Sequence, residues 1–141
     1  MDDHTIRLVE ESWERLAPEG PALARAFYAR LFELDPRIED LFVLTEMESQ
    51  GEKFLAMVGE LILLLKEPER FEKALVASGR RHRGYGVVPE HYRTVGEALL
   101  WAIESGTGPE LTDETREAWA EAYTRMAFLM QREELAEGAR D

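Results

Sequence analysis

The segment FEKALVASGRRHR, residues 71–83, decides the fold and contains the most informative residue of the chain. Phe71, Leu75, Ser78 and His82 follow at spacings of four, three and four residues, so an α-helix places them on one face. An imidazole at the end of that face has a ring nitrogen available to a ligand inside the protein. A lone histidine in this position is more often a satisfied structural residue, so its interpretation depends on what faces it.

Composition limits the class of protein. The 141 residues are 45% hydrophobic, which fits one domain spanning residues 1–141 with a substantial core. The absence of cysteine excludes disulfides, iron–sulfur clusters and thiolate metal sites. The net charge of −12 argues against nucleic acid as a partner. The longest apolar run, Leu61–Leu65, is too short to span a membrane, and the acidic N-terminus does not resemble a signal peptide, so we expect a cytoplasmic protein.

Helical periodicity extends through nearly the whole chain, and no alternating strand pattern is visible. The polar stretch Thr45–Ser49 is expected to be a loop, and the last two helices are expected to form an antiparallel pair. All three tryptophans are expected to be core anchors. The sequence therefore predicts an all-α fold with a short turn of helix from Pro36 to about Phe42 and six main helices: Asp3–Leu16, Pro21–Leu34, Gln50–Lys66, Pro68–Arg83, Pro89–Ser105 and Thr112–Glu137.

Two polar side chains interrupt apolar helix faces. Gln50 begins the face that continues with Phe54, and Tyr28 carries a hydroxyl into the apolar stripe of the second helix. Taken singly, Gln50 is a surface residue of a first turn and Tyr28 a core tyrosine bonded to a carbonyl. Phe42 is by default a core aromatic at a corner. The functional alternative is that Gln50 and Tyr28 direct hydrogen-bond donors at a bound ligand.

Taken together, these residues resemble a bacterial globin. The similarity is to single-domain haemoglobins and to the haem domain of flavohaemoglobins, over roughly Leu8 to Glu134. It also includes Ala118-Trp119 and Ala122-Tyr123 in the last helix. The segments that carry it are, in order, Phe27-Tyr28-x-x-Leu31-Phe32, Pro36, Leu41-Phe42, Gln50-x-x-x-Phe54, Arg81-His82 and His91-Tyr92-x-x-Val95-Gly96-x-x-Leu99-Leu100.

The resemblance implies a globin fold with haem b between a distal and a proximal helix. It implies that His82 is the proximal iron ligand and that Phe42 packs on the porphyrin. Gln50 and Tyr28 correspond to the distal polar pair, and Phe54 lines the distal wall. The family more often has Leu where Phe54 stands, so a smaller distal cavity is expected.

The resemblance also assigns residues around the haem edge. Arg81, Arg83 and Lys53 are candidates for pairing with the haem propionates, and Val87 and Val88 for apolar haem contacts. The favourable placement of basic side chains at a helix C-terminus is the structural alternative for the arginines.

Behind the proximal histidine, flavohaemoglobins place a Tyr and a Glu that tune its basicity. The matched segments put Tyr92 and Glu134 at these positions, and a hydrogen bond donated by His82 to this pair would increase electron donation to iron. A shift of one residue would exchange Glu134 for Glu133, so both remain candidates. The other two histidines, His4 and His91, are expected to be exposed and structural, respectively.

Several functions remain open under this resemblance. One is a nitric oxide dioxygenase that needs a separate reductase, because the chain contains no Gly-rich phosphate-binding motif of its own. Others are an O2 carrier or store and a haem-based gas sensor, as a monomer or homodimer, with O2 and NO as ligands. Retention of His82 and Phe42 argues against a haem-free signalling module, and the absence of cysteine argues against a covalent bilin carrier.

Overall fold

The computed structural model describes residues 1–140, with side chains as far as Glu137. Short 3-10 turns, Ala17–Glu19, Asp40–Phe42 and Gly108–Glu110, connect some of the helices, and the described residues contain no strand. None of the helices in this part of the chain combines the length and apolar character needed to cross a bilayer. The all-α prediction is confirmed by six main helices and a short one: α1 (Asp3–Leu16), α2 (Gly20–Leu34), α3 (Pro36–Glu39), α4 (Met47–Leu64), α5 (Pro68–Gly84), α6 (Pro89–Thr107) and α7 (Asp113–Arg140).

The start of α4 differs from the prediction. The loop expected over Thr45–Ser49 is wrong from Met47 onward, because Glu46 caps the helix. Its carboxylate accepts hydrogen bonds from the amides of Glu48 at 3.2 Å and Ser49 at 2.7 Å. The amide of Gln50 then donates to the Glu46 carbonyl at 3.0 Å. Gln50 therefore belongs to a formed and capped helical turn.

Trp119 joins α7 to α1 at the centre of the core. Its indole is 2% exposed, and Nε1 donates to the Ser12 hydroxyl at 2.8 Å. Its ring lies 6.3 Å from that of Trp13. The prediction that all three tryptophans are core anchors is wrong for Trp101, which is 39% exposed. Its ring instead supports the Arg30 guanidinium at 5.3 Å, a cation–π contact at the surface.

Helices α6 and α7 form the predicted antiparallel pair. Near one end the Tyr123 hydroxyl donates to the Tyr92 carbonyl at 2.5 Å. Near the other end, Arg116 pairs with Glu104 at 2.5 Å. A β-carbon at Gly96 would lie 2.7 Å from the Tyr123 ring, so this glycine permits the close approach. The pairing fixes the position of Tyr92 beside α7.

Helices α5 and α7 cross at Gly79. A β-carbon added there would lie 1.8 Å from the backbone oxygen of Met130, so no side chain fits between the two helices. This contact comes one turn before His82 on α5 and one turn before Glu134 on α7. It therefore sets the distance between the proximal histidine helix and the C-terminal helix.

Candidate functional site

His82 lies in the last turn of α5, with Phe71, Leu75 and Ser78 buried on the same face as predicted. The His82 Nδ1 atom is 2.7 Å from the Ser78 carbonyl oxygen and 3.3 Å from the Ser78 hydroxyl. Because a carbonyl oxygen only accepts, Nδ1 carries the ring proton and donates it. The neutral imidazole then keeps a lone pair on Nε2, which is the form that binds a metal.

Tyr28 and Gln50 are brought together from different helices. The Gln50 Nε2 donates to the Tyr28 hydroxyl oxygen at 3.1 Å, linking the start of α4 to the middle of α2. Tyr28 is 8% exposed, and burial raises the pKa of its phenol despite the opposing effect of the Gln50 hydrogen bond. The phenol therefore keeps its proton at neutral pH, and its O–H remains available to a further acceptor.

Phenylalanine rings surround Tyr28 on several sides and form what we call the aromatic cage: Phe27, Phe32, Phe42 and Phe54. Their centroids lie between 4.9 and 6.0 Å from that of Tyr28. Phe54 also stacks flat on Phe27, at 4.4 Å and 5°. Edge-to-face and stacked contacts of this kind restrict ring rotation. The cage therefore holds the Tyr28 ring and its oxygen in place, and the ring of Phe54 occupies space where a smaller Leu would leave room.

The corner after α3 and the loop after α5 lie close to each other. A β-carbon at Gly86, which has a φ of 90°, would lie 3.6 Å from Leu41, so the corner and the loop face each other. The amide of Val87 donates to the His82 carbonyl at 3.0 Å, tying that loop to the histidine. The neighbouring apolar side chains are exposed: Leu41, Val43, Leu44, Tyr85 and Val88. A flat macrocycle with an apolar face and a metal needing one imidazole fits these surroundings.

The basic side chains near the candidate site, which are Lys53 and the arginines of residues 80–83, divide into two groups. Arg80 and Arg83 pair with carboxylates of α7, so the expectation that Arg83 is available for a haem propionate is not met. Arg81 and Lys53 are exposed, and within the described side chains neither has a carboxylate at salt-bridge distance. These two residues remain the candidates for pairing with an anionic group.

Tyr92 is buried on α6 beside the C-terminal part of α7. Burial raises the pKa of the Tyr92 phenol, and the nearby Glu134 carboxylate raises it further, against the opposing effect of Arg83. Glu133 instead bonds Arg80, which lowers the pKa of that carboxyl. Of the two glutamates, Glu133 is therefore the one bound by Arg80, and Glu134 is the one whose charge raises the pKa of Tyr92.

One expected contact is replaced by another. The prediction of a hydrogen bond between His82 and the Tyr92–Glu134 pair is wrong for the described structure, because the His82 Nδ1 donates to the Ser78 carbonyl. Sequence reasoning placed Ser78 on the right face but missed this role. The signal was present, because residues four apart on a helix adjoin and the carbonyl of residue 78 lies beneath residue 82.

The other histidines have structural partners. His91 Nδ1 accepts a hydrogen bond from the Val88 amide at 3.2 Å, which caps the start of α6 as expected of a structural residue. His4 is exposed, also as expected, and contacts the Glu114 carboxylate. His91 uses the lone pair of Nδ1 and His4 uses Nε2, so neither ring presents a free lone pair on Nε2 as His82 does.

Known proteins are similar to this chain in sequence and in fold. The chain is 37% identical over 130 residues to a flavohaemoprotein of Xylella fastidiosa, covering 90% of this chain and 32% of that protein. It therefore spans about a third of the length of this relative. It is 28% identical to a neuroglobin of Danio rerio, covering 89% of this chain and 87% of that protein.

Solved structures agree with the sequence comparisons. A protein from Rhodothermus marinus, described as an engineered carbene transferase and a candidate nitric oxide dioxygenase, superposes with a TM-score of 0.83. The two chains are 28% identical, with 99% of this chain and 96% of that one covered. A globin of Drosophila melanogaster shares the fold, with a TM-score of 0.85 at 14% identity.

The family model for globins matches residues 25–130, a range that includes Tyr28, Gln50, His82 and the helices that carry them. With that match and the helix arrangement described above, the chain belongs to the globin family, whose members bind haem.

Proposed function

We propose that this protein is an O2- and NO-binding haemoglobin with His82 as the proximal ligand of haem b, and that it oxidises NO when a reductase is present. The observation that carries the proposal is the His82–Ser78 hydrogen bond, which leaves Nε2 as the uncommitted nitrogen. When bound, haem supplies an iron centre with one open position for a diatomic ligand. The remaining chemistry follows from the side chains of this chain.

Tyr28 is the donor to the ligand in this proposal. Gln50 donates to the Tyr28 oxygen, so the phenol proton is directed at another acceptor. The aromatic cage fixes the ring and keeps water away from it. A fixed donor in a dry site stabilises negative charge developing on a bound ligand, because it needs no reorientation. Gln50 therefore acts chiefly through Tyr28.

The proximal side raises the electron-donating strength of His82. The Ser78 carbonyl accepts the Nδ1 proton, which increases the negative character of the ring. The Glu134 carboxylate adds a negative charge beside Tyr92. We propose that Tyr92 and Glu134 act on His82 through the electric field of the Glu134 carboxylate. The residues proposed to give apolar contacts to haem are Phe42, Phe54, Val87 and Val88. Arg81 and Lys53 are proposed to pair with the haem propionates.

Nitric oxide dioxygenation balances as O2, NO and one electron giving nitrate. Similarity to a flavohaemoprotein and to a candidate nitric oxide dioxygenase supports this activity. The electron must come from a donor outside residues 1–141, and we propose a flavin- and nicotinamide-dependent reductase of the cytoplasm. An O2 carrier uses the same site without the electron supply, and a gas sensor uses it without consuming the ligand.

Mixing the reduced, O2-saturated holoprotein with NO tests the activity. We expect one nitrate per haem within the mixing time, and repeated turnover when a reductase and a nicotinamide cofactor are added. The matched control is the same mixture with CO in place of O2. Slow nitrate formation would instead support a carrier. So would a reaction that stops after one turnover whichever reductase of the cell extract is added.

Removing the distal hydroxyl should weaken O2 retention. In Tyr28→Phe the ligand loses a hydrogen bond of about 1.5–3 kcal/mol, so the O2 dissociation rate should rise roughly 10- to 100-fold. Gln50→Leu should give a smaller rise in the same direction, because Tyr28 remains but is less well oriented. Stopped-flow displacement of O2 by CO measures both rates.

The control for this pair is Tyr85→Phe, which removes a phenol hydroxyl from an exposed ring. Its O2 dissociation rate should equal that of the unmodified protein. If Tyr28→Phe and Gln50→Leu also leave the rate unchanged, the distal donor assignment is wrong.

A further inference from the structure

Helices α2 and α4 cross with almost no space between them. A β-carbon added at Gly51 of α4 would lie 3.2 Å from the β-carbon of Ala24 on α2, and both residues are buried. Phe27 and Phe54 come three residues further along their helices. Residues three apart on a helix are neighbours on its surface, so both rings lie next to the crossing. The crossing therefore limits how far apart these two rings can be.

The two rings are stacked. Their centroids lie 4.4 Å apart with an interplanar angle of 5°, and we call this pair the Phe27–Phe54 stack. Phe27 is 3% exposed and Phe54 is 8% exposed, so neither ring has solvent beside it into which it could turn. One turn further on the same helix faces, Leu31 and Val58 are also buried. In a closely packed interior, the Phe54 ring can therefore move only if a buried neighbour moves with it, and Phe27 is the neighbour that lies against its face.

The stack adjoins the distal polar pair. Gln50 precedes Phe54 by one turn of α4 and donates to the Tyr28 hydroxyl at 3.1 Å. The Phe54 ring meets the Tyr28 ring edge to face at 5.7 Å. In the proposed function the Tyr28 hydroxyl donates to the ligand on the iron, so the Phe54 ring lies beside that ligand. A ring in this place limits the size of the ligand beyond the atom that binds iron.

We propose that Phe54 selects ligands of the iron by size, and that Phe27 is the positioning residue that holds the Phe54 ring in place without touching the ligand itself. The inference rests on the proposed function for the position of the ligand. Diatomic ligands fit beside the stack. A ligand with a bulky group next to its binding atom, such as tert-butyl isocyanide, would have to displace a buried ring, which is as unfavourable as overpacking a core.

Phe54→Leu gives the reference effect. The smaller side chain leaves space beside the ligand, so the affinity of the ferrous holoprotein for tert-butyl isocyanide should rise about 10- to 100-fold, while the affinity for CO should change by less than about threefold. Titration followed by the Soret band measures both affinities. Their ratio is the measure of size selectivity, because a general loosening of the site changes both together. An unchanged ratio in Phe54→Leu would overturn the role of Phe54.

Phe27→Leu is the decisive variant. It removes the stacking partner and alters no proposed contact with the ligand, so the ratio should shift in the same direction by about 2- to 10-fold, the factor that corresponds to one lost aromatic pair. In the double variant with Phe54→Leu, the ratio should equal that of Phe54→Leu alone, because Phe27 acts only through the Phe54 ring. Additive shifts in the double variant would overturn the positioning role of Phe27.

Phe71→Leu is the matched control. Phe71 is 3% exposed, as Phe27 is, so the same substitution empties a similar volume of the core. It lies near the start of α5, about three turns before His82. Its ratio of affinities should equal that of the unmodified protein, even though its urea unfolding midpoint falls. A shift as large as that of Phe27→Leu would contradict the proposal, because the loss of any core ring would then loosen the site.

A haem-free measurement separates this inference from the proposed function. In the apoprotein, NMR of carbon-labelled phenylalanine reports how fast the Phe54 ring flips about its axis. The flip should be about 2- to 10-fold faster in Phe27→Leu and unchanged in Phe71→Leu. An unchanged flip rate in Phe27→Leu would refute the positioning role even if haem and CO bind as proposed. Failure of the unmodified protein to bind haem would refute the proposed function and leave the flip rate as the test of the stack.

Discussion

Replacing His82 by alanine should remove the ability of the protein to hold haem in a defined coordination. Loss of a partner behind a metal-bound histidine typically costs 10- to 100-fold in affinity, so loss of the ligand itself should weaken haem retention by more than about 100-fold. Haem transfer to an excess of an apoglobin acceptor measures this retention directly. The Soret band of the ferrous protein should change from that of a histidine-bound haem.

Exogenous imidazole provides a rescue of this variant. The space vacated by the His82 ring should accept free imidazole, which restores the histidine-like Soret band without restoring the covalent link to α5. His91→Ala is the matched control, since that ring caps α6 through the Val88 amide and its removal should leave haem retention unchanged. Normal haem retention by His82→Ala would contradict the assignment of the proximal ligand.

Gly79→Ala should strongly destabilise the fold. The added β-carbon would lie 1.8 Å from the Met130 oxygen, where backbone on both sides leaves no flexible side chain to move. Overpacking of this kind costs about 1–3 kcal/mol and occasionally more, and we expect about 3 kcal/mol or above. Urea unfolding of the apoprotein, followed by circular dichroism, measures the loss.

Gly84→Ala is the control for Gly79→Ala. Gly84 lies in the same helix, and no atom is within 4 Å of the position that its β-carbon would take. Its unfolding free energy should change by less than about 1 kcal/mol, because only chain entropy is affected. Equal effects at the two glycines would show that helix propensity, and not the α5–α7 crossing, controls stability here.

Local patterns were sufficient for most of the fold. The spacing of apolar residues located all the main helices, and Pro and Gly marked most of their ends. The start of α4 was misplaced because the capping residue, Glu46, is a glutamate and not one of the usual Ser, Thr, Asp or Asn. Trp101 was misassigned because helical periodicity does not distinguish a buried tryptophan from one lying under an arginine at the surface.

More of the candidate site could be predicted on the distal side, which carries Tyr28 and Gln50, than on the proximal side, which carries His82. Tyr28 and Gln50 were recognised as polar residues on apolar faces, and the structure joins them by a hydrogen bond that residue spacing does not predict. On the proximal side, the partner of the His82 ring and the choice between Glu133 and Glu134 depend on rotamers and on the rotation of α7. Neither quantity is encoded by residue spacing alone.

By itself the sequence determined the helical class, the face that carries His82 and the polar residues that interrupt apolar stripes, because these depend on the periodicity of one helix at a time. Tertiary structure decided which groups meet: Gln50 with Tyr28 inside the aromatic cage, Arg80 with Glu133, and the Tyr123 hydroxyl with the Tyr92 carbonyl. Such contacts depend on the distance and rotation between helices. Those are set by long-range packing such as the Gly79–Met130 crossing, whose partners lie far apart in the chain.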